Sequence, residues 1–204
     1  MRPPAFITLE GLDGSGKSTQ LDLLAAHLRQ QGGAPVTVTR EPGGTALGER
    51  IRTLVLETEP SVGAELALMC ASRAQSAEEI IRPALAAGHW VLCDRFHDAT
   101  EAYQGGGRGW DRAAIATMHR ILCGNLQPNL TLILDLDPEV ALARARSLSA
   151  ASRFEREDAE FFARVATAYR ALAARESRRC RLIGAHGSRE EVAARIRAVV
   201  DDVA

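Results

Sequence analysis

The stretch Ala5–Gln20, AFITLEGLDGSGKSTQ, restricts the possible fold more than any other part of the chain. A short apolar run of Phe6, Ile7 and Leu9 reads as a buried strand and passes directly into Gly11-x-x-x-x-Gly16-Lys17-Ser18, the full phosphate-loop pattern. Leu21, Leu24, Ala25 and Leu28 follow at helical spacing, so the loop opens an amphipathic helix. That order has a physical purpose. A helix N-terminus carries unpaired N–H groups and a partial positive charge, and glycines let the preceding loop wrap its own N–H groups around phosphate oxygens. Gly11, Leu12, Asp13, Gly14, Ser15, Gly16, Lys17, Ser18 and Thr19 are the expected cradle. Lys17 would reach the outer phosphates, and the Ser18 hydroxyl would ligate a bridging Mg²⁺ ion. Lys17 is also the only lysine among 25 basic residues, so this one site uses a compact ammonium where the rest of the chain uses guanidinium.

With 204 residues the chain suits one well-buried domain, 1–204, and is short for two. A net charge of −1 argues against a nucleic-acid-coating surface. No apolar run approaches the roughly 20 residues that span a bilayer, and Met1-Arg2-Pro3-Pro4 leads into the first strand rather than into a signal peptide. A cytoplasmic protein with no membrane or nucleic-acid partner is expected. Cys70, Cys93, Cys123 and Cys180 lack a C-x-x-C pair, which suits reduced, buried thiols.

Along the chain, Val36–Thr39 reads as a second strand that ends in the turn-rich Arg40-Glu41-Pro42-Gly43-Gly44-Thr45. Open α/β sheets place ligands at such carboxyl ends. Leu47, Ile51, Leu54 and Val55 mark a helix, and helical periodicity runs again from Val62 to about Ala87, with Pro83 expected to kink or break it. Arg73, on an apolar stripe of that helix, either snorkels from its edge or points a guanidinium fork into a cleft. Trp90–Cys93 is a third strand delivering Asp94, the expected second Mg²⁺-directing carboxylate, and Arg95, a bidentate phosphate ligand. Glu101–Gly109 reads as a flexible loop closing over an acceptor. Ile115, Met118, Ile121 and Leu122 mark a helix, Leu130–Leu136 a strand buried on both faces, and Pro138 the start of a helix reaching Arg144 and Arg146. Patterning fails at Ser147–Ser152 and resumes at Phe161, so the arginine-studded stretch of about 144–157 reads as a mobile lid. Arg181–Ile183 and a final helix complete a parallel five-stranded sheet with helices on both faces, a phosphate-loop NTPase-type α/β fold. With no second lysine, the guanine-reading Asn-Lys-x-Asp signature of GTPases cannot occur.

Taken together, Glu10-Gly11-Leu12-Asp13-Gly14-Ser15-Gly16-Lys17-Ser18-Thr19, Thr39-Arg40-Glu41-Pro42-Gly43-Gly44-Thr45, Asp94-Arg95-Phe96 and Ala102–Gly109 resemble the bacterial thymidylate kinases, from the first strand to at least Tyr169. The resemblance implies Mg²⁺-dependent transfer of the γ-phosphoryl of ATP to dTMP by a homodimer. It implies that Asp13 sits near the nucleotide sugar and metal, that Arg95 clamps the dTMP phosphate with Asp94 near the metal, and that Arg73 faces the thymine base. Tyr103 and Gln104 would line the acceptor pocket with Arg40, Pro42, Met69 and Tyr169, and Arg144 would serve the donor nucleotide. Because the phosphate loop contains no arginine, the lid would supply transition-state charge, with Arg153 as first choice and Arg146 or Arg156 as alternatives. Three positions depart from the family pattern: Met69 replaces a stacking phenylalanine, Ser152 an aspartate in the lid, and Gly184 an aspartate in the adenine-side loop. Another nucleoside monophosphate kinase, or a nucleotide switch that hydrolyses ATP without an acceptor, are the competing readings.

Overall fold

Strands form where the apolar runs predict them. In the computed structural model, which describes residues 5–148 and 157–203, β1 (Phe6–Gly11), β2 (Val36–Arg40), β3 (Trp90–Asp94), β4 (Leu130–Asp135) and β5 (Cys180–Gly184) make one sheet in the order β2-β3-β1-β4-β5. Every neighbouring pair is parallel. β1 and β4 are buried along almost their whole length, as continuous apolar strands covered on both faces must be, whereas the edge strand β2 is partly exposed. The connection leaving β1 runs towards β2, and the one leaving the adjacent β3 runs towards β4. The crevice between these two strand ends is the place where open α/β sheets bind ligands.

The helices are α1 (Lys17–Gln30), α2 (Ala46–Glu57), α3 (Val62–Ser76), α4 (Arg82–Ala86), α5 (His97–Thr100), α6 (Arg112–Cys123), α7 (Pro138–Leu148), α8 (Ala159–Arg175) and α9 (Arg189–Val203). Side-chain oxygens of Thr45, Ser61, Asp111 and Asp158 cap α2, α3, α6 and α8. All four cysteines are free and buried. Among the described residues, no helix is long and apolar enough to cross a membrane.

Two expectations are corrected. Of the kink or break expected at Pro83, the break does not occur: a π-helical turn, Ala77–Ile81, precedes α4, and Pro83 falls in the first turn of that helix. The wider turn absorbs the hydrogen bond that proline cannot donate. Glu101–Gly109 is not a flexible loop either, because α5 continues as a π-helical segment, Glu101–Gly107, in which Ala102, Tyr103, Gln104 and Gly107 are buried. Its glycines permit close approach rather than looseness. A Cβ added at Gly106 would come within 3.0 Å of the Ala168 Cβ, and one at Gly107 would lie 2.5 Å from the Phe161 ring, both on α8. The centre of the expected lid, including Ser152, Arg153 and Arg156, lies outside the described residues.

Candidate active site

The loop after β1 turns through Gly14 and Gly16, with φ of 82° and 92°, and Gly16 is the N-cap of α1. A side chain at Gly14 would also collide with the Ala141 carbonyl, so this turn accepts only glycine. The buried Lys17 ammonium donates to the Leu12 carbonyl at 2.8 Å and stands 3.7 Å from Asp13 Oδ1. Burial and the nearby Arg95 push its pKa down, with Asp13 opposing them. At the next residue the Ser18 hydroxyl donates to Asp94 Oδ2 at 2.7 Å, joining the start of α1 to the end of β3. These two hard oxygen ligands from separate elements fit a Mg²⁺ ion, which keeps several waters and completes its shell with substrate phosphates. The described residues hold no group of three His, Cys, Asp or Glu that would make an all-protein metal cage.

One residue past Asp94 the chain makes a strained turn. Arg95 has φ of 70°, the only described non-glycine residue with a positive φ. Its Nη2 donates to Asp13 Oδ1 at 2.6 Å and to the Tyr103 hydroxyl at 3.0 Å, and its Nη1 lies 3.5 Å from the Tyr169 hydroxyl. The Tyr103 ring packs 4.5 Å from the guanidinium carbon. Tyr103 also donates to Asp13 Oδ2 at 3.3 Å. Burial alone would raise the Asp13 carboxyl, but the Arg95 and Lys17 charges outweigh it and hold the pKa at about 2. Beneath this group sits Glu10, wholly buried, accepting from the Phe96 N–H and from the Tyr169 hydroxyl, each at 2.8 Å. Burial and the nearby Asp98 push its carboxyl up to about 8.

Arg73 does not snorkel. It is buried and directs its fork inward, Nε to Glu41 Oε2 at 3.0 Å and Nη2 to the Phe96 carbonyl at 3.2 Å and the Thr100 hydroxyl at 2.5 Å. Burial, partly offset by Arg73, raises Glu41 to about 7. Met69 is buried one helical turn away on α3. Gln104 donates its amide to Glu65 Oε1 at 2.7 Å; a carboxylate accepts only, so the Gln104 carbonyl must face away from it. Among the described residues Gln104 Oε1, Glu41 Oε1 and Thr39 Oγ1 are buried without a hydrogen-bond partner.

The remaining expected residues are less closely engaged. Arg40 is half-exposed and paired with Glu49 at 2.9 Å, while Pro42, after a cis peptide bond, accepts from Arg52 Nη1 at 3.1 Å through its carbonyl. Arg144 and Arg146 are exposed on α7, and Arg146 donates to the Glu157 carbonyl at 3.2 Å. Sequence reasoning passed over Glu10, Glu41, Glu65 and Arg52 as candidates in their own right. For Glu10 a signal was present, since an acid inside the apolar run FITLEG needs a buried partner. Glu65 carried the same signal, an acid in the otherwise small and apolar run Val62–Met69, whereas Glu41 and Arg52 gave none, because each stands in an ordinary polar context and acquires its partner only through folding.

Residues 9–196 match the family model described as thymidylate kinase. A thymidylate kinase of Synechococcus sp. (strain JA-2-3B'a(2-13)) is 53% identical over 197 residues, covering 96% of this chain and 94% of that protein. One of Pseudomonas syringae pv. tomato is 51% identical over 192 residues, covering 93% and 91%. The crystal structure of thymidylate kinase from Ehrlichia chaffeensis superposes with a TM-score of 0.80 at 33% identity, covering 98% of this chain and 99% of that one. The phosphate loop, the acidic and basic end of β3 and the whole parallel sheet therefore have one common origin: the chain belongs to the thymidylate kinase family.

Proposed function

We propose that this chain, as one kinase domain, transfers the γ-phosphoryl of ATP to dTMP to give dTDP, with the following division of labour. Residues Gly11–Thr19 cradle the donor phosphates, and Lys17 exchanges the Leu12 carbonyl for their outer oxygens. Ser18 and Asp94 would hold a Mg²⁺ ion, which would supply charge neutralisation for the donor phosphates. Arg95 clamps the acceptor phosphate while Asp13 and Tyr103 orient its guanidinium. Arg73, Met69, Gln104 and Pro42 line the base pocket, with Arg40 and Tyr169 at its margins. The bare Gln104 carbonyl is matched to an N–H donor, which the imide of thymine offers at N3, where cytosine carries an acceptor. Phosphoryl transfer asks little covalent chemistry of a protein, so alignment and charge carry the rate. Arg144 serves the donor side, and Arg153, with Arg146 and Arg156 as alternatives, supplies lid charge worth about 10³-fold or more.

The observation that carries this reading is the meeting, at the crevice between β1 and β3, of the Ser18–Asp94 pair with the Asp13–Arg95–Tyr103 cluster. Acceptor and donor groups thus sit on adjacent residues of one strand end. A homodimer is supported by large apolar side chains left exposed on two helices that both pack on α3, Leu54 on α2 and Ile121 and Leu122 on α6, Ile121 at 70% exposure. A cytoplasmic location fits the free buried thiols. Turnover measured with ATP and Mg²⁺ on dTMP, dUMP, dCMP and AMP tests the assignment. The expected result is highest kcat/KM on dTMP and strict Mg²⁺ dependence. A preference for another monophosphate, or ATP hydrolysis indifferent to dTMP, overturns it.

A further inference from the structure

We propose that Glu10 is a positioning residue for the acceptor clamp: its carboxyl pins the Arg95–Phe96 backbone in the turn that aims the Arg95 guanidinium, and it holds Tyr169 against that guanidinium. This rests on the reading of Arg95 as the ligand of the acceptor phosphate.

A non-glycine residue in the left-handed region persists only where its surroundings over-determine it. At Arg95 three contacts do so. Its N–H donates to the Leu9 carbonyl at 3.0 Å, its carbonyl accepts from the Cys93 thiol at 2.9 Å, and the following N–H, of Phe96, donates to Glu10 Oε1 at 2.8 Å. Only the last is made by a carboxyl group. The other oxygen of Glu10 accepts from Tyr169, whose hydroxyl oxygen then turns its lone pairs to Arg95 Nη1. Both oxygens of one buried carboxyl therefore act on groups adjoining Arg95, one through the backbone and one through the side chain. The charged and titratable groups around Glu10 come from four elements and one turn: Lys17 on α1, Cys93 on β3, Arg95 in the turn after it, Asp98 on α5 and Tyr169 on α8. None of them substitutes for its two hydrogen bonds. A carboxyl needed only to fill the core would be served equally well by a side chain of the same shape without oxygens.

The test compares Glu10→Met, which keeps the length and removes both acceptors, with Glu10→Gln, which keeps a carbonyl for the Phe96 N–H. Steady-state KM is read separately for dTMP and ATP at pH 7. Glu10→Met is expected to raise the dTMP KM about tenfold or more while the ATP KM stays within about twofold, and Glu10→Gln to return the dTMP KM to within about threefold of wild type. An unchanged dTMP KM in Glu10→Met, or both KM values rising together, overturns the proposal. If Glu10→Met does not fold, Tyr169→Phe decides: a dTMP KM raised about threefold or more supports the relay, and an unchanged one refutes it. Arg95→Lys separates the two levels of the argument. If it leaves the dTMP KM unchanged, the acceptor-clamp reading itself fails. If it raises that KM and Glu10→Met does not, only the role given to Glu10 fails.

Discussion

Replacing Gly106 by alanine should destabilise the protein, against the usual rule for helices. Gly106 has helical backbone geometry, and in a helix interior alanine is favoured over glycine by about 0.5–1 kcal/mol. Here the added methyl would stand within 3.0 Å of the Ala168 Cβ and 3.4 Å from the Arg164 carbonyl. A Cβ has no rotamer with which to escape, so the segment Glu101–Gly107 and α8 must separate. Overpacking of this kind costs about 1–3 kcal/mol, and at the middle of that range, about 2 kcal/mol, it exceeds the helical gain and leaves a net loss of about 1–1.5 kcal/mol. For a chain of this length the thermal midpoint should fall by roughly 2–6 °C. Gly105 provides the internal control. One residue earlier in the same segment, its added Cβ would meet the Ile115 side chain at an ordinary 3.4 Å, so Gly105→Ala should be neutral or stabilising. The assay is urea and thermal denaturation of both variants, followed by Gly106→Ala in an Ala168→Gly background. Removing the opposing methyl should abolish most of the penalty, giving a coupling energy of about 1 kcal/mol or more. A Gly106→Ala variant as stable as Gly105→Ala, or a penalty that persists without the Ala168 methyl, refutes the close-approach argument.

Two further outcomes follow from the site. Glu10, raised from 4.5 to about 8, binds more protons folded than unfolded between those values, so its contribution to stability is full below about pH 4.5 and is lost as pH rises through 8. Glu10→Gln lacks this dependence, so its urea midpoint should gain on wild type between pH 5 and pH 9, by on the order of 3 kcal/mol in stability, and a constant difference across that range would contradict the burial argument. Lys17→Arg should lower kcat by about 10²-fold or more with the circular dichroism spectrum unchanged, because the buried ammonium occupies a space, 2.8 Å from the Leu12 carbonyl, that a planar fork cannot share with phosphate; near-normal turnover would defeat the role assigned to it.

The fold was legible because its signals are local and reinforce one another. β1, β3 and β4 are short apolar runs bounded by turn residues, and parallel strands buried on both faces need little more. Where an element depends on its neighbour, local reading failed. The glycines of Glu101–Gly107 carry the composition of a loop, yet they exist for Phe161 and Ala168, more than fifty positions later. Pro83 looked like a break because the π-helical turn that accommodates it leaves no mark on composition.

The same division runs through the site, and it bears on how the two substrates communicate. The phosphate loop announces itself, but the partner that Arg95 finds in the loop, Asp13, is 82 positions away, and no pattern links them. The consequence is physical. Asp13 stands between the two cations of the site, 2.6 Å from Arg95 and 3.7 Å from Lys17, and its carboxylate is held ionised by both. In the proposed reaction each of those cations faces a phosphate of a different nucleotide. An acceptor phosphate at Arg95 competes with the carboxylate for that guanidinium, and a donor phosphate at Lys17 competes for the ammonium. Whichever arrives first weakens one of the two attractions that fix Asp13 and leaves it to the other cation. In the proposed reaction, binding at either side would therefore be felt at the other through a single carboxylate.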